Sequence, residues 1–167
     1  MEFSDIMDPS SLRRIERDHD AFVSDEAYEV HVAEVASTPL ERIVASQPRG
    51  SQVTVRLRQG DVLRGSLQDP TTGWVTIDLG GRRVLVALRA VTRVELPAVA
   101  VTAGTCPALR TLGSVLREHA RAAGAVCVRL TDGVTISSSI RAVGADFVAL
   151  GDGSLVPFSG MDVCELR

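Results

Sequence analysis

The sequence has no lysine and no asparagine, and all eighteen of its basic residues are arginines. The missing asparagine excludes any RNA pocket that depends on that side-chain amide. Aromatic residues are few, with one Trp, one Tyr and four Phe. That supplies little surface for the base stacking on which single-strand binders rely. No apolar run approaches the roughly 20 residues that cross a bilayer as a helix, so a soluble chain without membrane contact is expected. The start, MEFSDIMDPSS, is acidic and lacks the basic flank and apolar segment of a secretory signal, which points to a cytoplasmic protein. Cysteine is limited to Cys106, Cys127 and Cys164 and histidine to His19, His31 and His119, none at metal-ligand spacing. Reduced structural thiols are expected, with no metal and no cofactor.

What charge there is lies unevenly. Residues 1–38 hold three arginines against ten carboxylates, a net −7, whereas residues 39–96 hold nine against five, a net +4. The remainder is balanced, so an acidic arm precedes a basic module and a neutral one.

The strongest pattern is internal. Gln52–Leu67, QVTVRLRQGDVLRGSL, returns as Ala125–Ile140, AVCVRLTDGVTISSSI, at an offset of 73. Val53, Val55, Leu57, Gly60 and Leu63 meet Val126, Val128, Leu130, Gly133 and Ile136. The match runs on through Trp74 over Phe147. It then shifts by three, so that Val86 meets Val156, Leu88 meets Phe158 and Glu95 meets Glu165.

In chain order, Asp8-Pro9 starts a predicted helical arm with apolar stripes Leu12, Ile15, His19, Phe22 and then Tyr28, Val32, Val35. Thr38-Pro39-Leu40-Glu41 reads as a capping box opening a short helix that ends before Pro48. Five strands follow: two across Val53–Leu67, then Trp74–Leu79, Arg82–Leu88 and Ala90–Leu96, with hairpins at Gly60 and Gly80-Gly81. After the small, uncharged stretch Pro97–Pro107, a longer helix carries Leu109, Leu112, Leu116 and His119 or Ala120. Strands are predicted at Ala125–Leu130, Thr135–Ala142, Phe147–Leu150, Leu155–Phe158 and Asp162–Leu166. A bent sheet of five short strands after a helix closes as a small barrel, which limits exposed edges.

A short helix followed by five strands, with V-x-V-x-L-x-x-G-x-x-L-x-G-x-L across the first two, resembles the Sm-like barrel of Sm proteins and bacterial Hfq. It covers 39–96 and, more weakly, 107–167. The whole chain also looks like a poorly characterised actinobacterial family of tandem barrels, in keeping with arginine-only, high-GC residue usage. The resemblance implies a mainly β protein with some α: two tandem five-stranded Sm-like small barrels, each preceded by a helix, plus an N-terminal acidic helical arm. The implied domains are the arm 1–36, barrel one 37–97, a linker 98–106 and barrel two 107–167. It also implies association by pairing the fourth strand of one barrel with the fifth of the next. A tandem chain makes that join internally and leaves one edge at each end for self-association. The family's RNA site uses an Asp and an Asn near the third strand and an Arg-Gly pair after the fourth. Here Asp69 stands without the Asn, and the pair is halved between Arg89-Ala90 and Ser159-Gly160.

Two surfaces are candidates for function. Arg56, Arg58 and Arg64 alternate outward on barrel one, with Arg82, Arg83, Arg89 and Arg93 as extensions, and could contact RNA, DNA or the chain's own acidic arm. Trp74 and Phe147 occupy equivalent third-strand starts, suited to a barrel end or a barrel or partner interface. Ser137–Ser139 lies in an alternating strand without the strand-turn-helix setting of a nucleophile elbow, and the glycine pairs read as hairpins rather than phosphate loops. The expectation is a non-enzymatic binding, assembly or regulatory adaptor with a protein partner or self-association, the alternative being an RNA- or DNA-binding regulator in which the arm competes for the arginine face.

Overall fold

A computed structural model describes residues 39–97 and 109–167. The arm 1–36, Thr38, His19, His31, Cys106 and the linker 98–106 lie outside the described residues.

Helix α1 (Leu40–Ala45) opens the first half. Its N-cap is Pro39, expected as the first helical residue, and the Thr38 on which the capping box rests lies outside the described residues. The Glu41 carboxylate accepts the Gly73 N–H at 2.6 Å, tying α1 to a distant turn. The alternation in β1 (Gln52–Leu57) buries Val53, Val55 and Leu57 and leaves Arg56 exposed. β2 (Val62–Leu67) returns antiparallel, with Val55 opposite Leu63. Between them Gly60 takes φ +96°, a conformation that costs a residue without Cβ little. β3 (Trp74–Asp78), β4 (Arg83–Ala87), a 3-10 turn over Leu88–Ala90 and β5 (Val91–Glu95) complete the half, with β5 paired back on β1.

The second half repeats the plan. Thr111 caps α2 (Leu112–Arg121), its hydroxyl accepting the Ser114 N–H at 3.2 Å, and the helix buries Leu112, Val115 and Leu116. Then come β6 (Ala125–Leu130), β7 (Thr135–Val143), β8 (Phe147–Leu150), β9 (Leu155–Pro157), a 3-10 turn over Phe158–Gly160 and β10 (Met161–Leu166). The equivalence extends to single hydrogen bonds. Arg58 N–H donates to Ala90 O at 2.9 Å, and Thr131 N–H donates to Gly160 O at 3.0 Å. Both fifth strands also shift register at the same place over the first strand of their half. The halves differ at one hairpin: β3–β4 turns at Gly80-Gly81, whereas β8–β9 turns earlier, at Gly151–Gly153.

The ten strands form one sheet in the order β5-β1-β2-β3-β4-β10-β6-β7-β8-β9, and every neighbouring pair is antiparallel. Its midline is the pairing of β4 with β10, where Val86 faces Val163 and Leu85 faces Cys164. Two apolar clusters lie on either side of that seam. One gathers Val53, Val55, Leu57, Val75, Ile77, Val84 and Val86. The other gathers Leu112, Leu116, Val126, Val128, Val148, Leu150, Met161 and Cys164, and takes in Trp74, Leu85, Ala87 and Ala90 from the first half. Strand β4 is therefore buried on both faces. A fully buried apolar side chain contributes about 1.5–3 kcal/mol, so Leu85 and Trp74 make the seam a substantial part of the second core.

Candidate functional site

The seam is held by polar side chains as well as by Trp74 and Leu85. Arg89 follows β4 and reaches across it: its guanidinium donates to the carbonyls of Met161 and Phe158, the latter at 3.2 Å, and lies 3.9 Å from the Asp162 carboxylate. The same guanidinium sits 5.6 Å from the centre of the Trp74 ring, a cation–π distance. Arg58, at the end of β1, donates to Arg89 O at 2.7 Å. Arg129 of β6 pairs with Asp61 in the β1–β2 turn, and Arg82 with Glu165 at 3.6 Å. Asp61, Arg82 and Arg89 of the first half thus each meet an oppositely charged side chain of the second. Asp162 and Glu165 expose only 13% and 18% of their side chains, which strengthens such pairs relative to fully solvated ones.

This arrangement divides the seven arginines expected on one face. Arg58 and Arg89 turn to the seam, and with Gln59, Thr131 and Asp162 they line a cavity of about 160 Å³. Arg82 and Arg83 lie at the opposite end of β4, beside β10. Arg56, Arg64 and Arg93 remain on the outer face of β5-β1-β2, where Arg56 is directly opposite Arg93 and Thr54 lies between Arg64 and Glu95. Arg93 pairs with Glu95 at 3.0 Å. Among the described residues Arg56 and Arg64 enter no ion pair. A groove of about 350 Å³ runs along this face, lined by Gln52, Val53, Thr54, Arg64, Glu95, Leu96 and Pro97.

The aromatic pair also divides. Trp74 is 7% exposed and belongs to the seam, whereas Phe147, its counterpart, is half-buried and packs over Gly144, where a Cβ would come within 2.3 Å of the ring. Leu155, the counterpart of Leu85, is 67% exposed on β9, the end strand of the sheet. Nothing local in the sequence marks the role of Asp61, Asp162 and Glu165. Their partners lie in the other repeat, and only the order of strands brings them together.

The remaining candidates have local roles. His119 places Nε2 2.8 Å from Ala125 O and fills the space that a Cβ on Gly124 would need. Ser137, Ser138 and Ser139 sit within β7, paired with Cys127, Val126 and Ala125. Burial pushes the Cys164 thiol up to about 12, so it stays protonated and unreactive. The Arg110 guanidinium beside Glu118 holds that carboxyl below its ordinary value. Among the described residues, no group of three His, Cys, Asp or Glu side chains is placed to hold a metal ion, and no helix is long and apolar enough to cross a membrane.

Comparison with family models, with curated proteins and with solved structures returns no match to this chain. Chemically, the arrangement offers two unlike surfaces: a cross-braced seam, and an outer face bearing Arg56 and Arg64.

Proposed function

We propose that the chain is a non-enzymatic binding adaptor: two tandem Sm-like small barrels fixed side by side, working in the cytoplasm, with the acidic N-terminal arm serving regulation or assembly. The observation that carries this reading is the pairing of β4 with β10. It joins the fourth strand of one repeat to the fifth of the other, as neighbouring barrels of the resembled family associate. It also leaves β5 and β9 as the two ends of the sheet. A protein with this plan acts through what its outer faces and edges bind.

The second reading is an RNA- or DNA-binding regulator, and one observation favours it. Arg56 and Arg93 stand directly opposite each other, and while Glu95 neutralises Arg93 at 3.0 Å, Arg56 enters no ion pair among the described residues and is left to take an anion. Arg58, Arg82 and Arg89 contribute less to such a site, since each is engaged at the seam.

Fluorescence anisotropy with mixed-sequence RNA and DNA probes across a salt series separates the two. The adaptor reading predicts no binding at low salt, and no change in Arg56→Glu/Arg64→Glu. Binding that weakens steeply with salt and disappears in that double variant would replace it with the nucleic-acid reading.

A further inference from the structure

The repeat assigns every residue of the seam a counterpart on the outer edges, which makes it possible to ask whether the seam can be copied between chains. The copy would lay β9 of one chain against β5 of the next. Inside the chain Val86 faces Val163, Leu85 faces Cys164 and Val84 faces Glu165. Transferred to counterparts, Val156 would face Arg93, Leu155 would face Val94 and Ser154 would face Glu95.

The apolar part of the contact survives this transfer, since Leu155 replaces Leu85 and Phe147 replaces Trp74. The polar part does not. Where Arg82 meets Glu165, the shortened β8–β9 hairpin would bring Asp152 toward Glu95, two carboxylates. Where Arg89 holds Asp162 and two carbonyls, Ser159 would meet Thr92. Where Arg129 meets Asp61, Arg56 would meet the exposed Val134, a cation over an apolar side chain. None of the three ion pairs has a copy, and one is inverted.

The backbone adds a fourth obstacle. Leu88 N–H donates to Gly73 O at 2.9 Å and Phe158 N–H to Asp146 O at 2.7 Å, each inward to its own half. Successive N–H groups of a strand point to opposite sides, so the residue before each addresses the outer neighbour. In the first half that residue is Ala87, which has an N–H to give. In the second it is Pro157, which has none, and proline on an edge strand is a known guard against further pairing. β9 is also only three residues long, against five for β4.

We infer that the side-by-side join is made once, within the chain, and that Asp152, Pro157, Ser159 and Val134 stop it from being repeated between chains. This inference rests on the equivalence of the two halves in the adaptor reading. It narrows that reading, because β9 of one chain does not join β5 of a second copy.

Sedimentation velocity on the full chain tests it. The intact chain should show no edge-mediated association over about a hundredfold range of concentration, the range in which mass action would reveal it. The variant Thr92→Asp/Val134→Asp/Asp152→Arg/Pro157→Ala/Ser159→Arg rebuilds the three ion pairs and the missing N–H, all at exposed positions. It should associate head to tail, and adding Leu155→Glu should return it to single chains. Association of the unaltered chain that Leu155→Glu abolishes would overturn the inference. A rebuilt variant that keeps its circular dichroism spectrum yet stays a single chain would overturn it too. Association of the unaltered chain that Leu155→Glu leaves intact would run outside β9 and uphold the closed β9–β5 join. Failure of the two-barrel reading would show separately, as rapid hydrogen exchange of β10 amides within a single chain.

Discussion

Single side chains in this protein take their properties from which half they face. Cys164 is the clearest case: alternation alone marks it as inward, and burial raises its thiol from 9.0 to about 12. The fold favours the protonated thiol, so this contribution is intact below pH 9.0, where the unfolded thiol is also protonated, and declines as pH rises toward about 12. Replacing Cys164 with Ala should therefore flatten the fall of the denaturation midpoint within that window. A midpoint falling as steeply in the variant would remove the thiol as its cause. In the native chain at neutral pH, Cys164 should resist alkylation until denaturant is added, as peptide mass mapping would show. Trp74, the sole tryptophan, should emit in the blue-shifted range of a buried indole. Trp74→Ala should cost about 3–5 kcal/mol in denaturant titrations, whereas Phe147→Ala, at its half-buried counterpart, should cost clearly less.

At the scale of elements, most strands were legible because their information is local. Val53, Val55 and Leu57 alternate with polar residues, and Gly60 and Gly133 stand where the backbone requires positive φ. Ala125–Leu130 and Phe147–Leu150 coincide with their predicted bounds. Contacts made between elements were not legible. Glu41 accepts the Gly73 N–H, because a turn from another part of the chain packs against the helix. The second buried face of β3 and β4, comprising Trp74, Thr76, Leu85 and Ala87, follows from a neighbour that alternation cannot name. Gly65 illustrates the same limit. A Cβ there would lie 2.2 Å from Asp78 O and 2.7 Å from Ile77 Cγ2, though its counterpart Ser138 carries a half-buried side chain. Gly65→Ala should destabilise by about 1–3 kcal/mol or more, while Ser138→Ala should be nearly silent in the same thermal melts.

For the whole molecule, the repeat explains both what is joined and what is left open. From Pro39 onward the chain is one compact unit with two apolar clusters and a shared midline. The expected arginine stripe was legible as seven residues but not as a surface. Arg58 and Arg89 turn to the seam once β10 lies beside β4, while Arg56 and Arg64 stay on the outer face. Function is accordingly sought on the outer face and at the sheet ends rather than at the seam.

The central claim is that β4 and β10 unite the two repeats, so that a first-half side chain is part of the second-half core. Denaturant unfolding of the Leu116→Ala variant, followed in parallel by Trp74 fluorescence and by far-ultraviolet circular dichroism, tests this most directly. Leu116 is 1% exposed in α2 and belongs to the same cluster as Trp74, and its truncation should cost about 2–5 kcal/mol. The united sheet predicts that the fluorescence and dichroism transitions shift together to lower denaturant. A dichroism transition that moves while the Trp74 transition stays in place would mean that the halves fold apart, and would contradict the account.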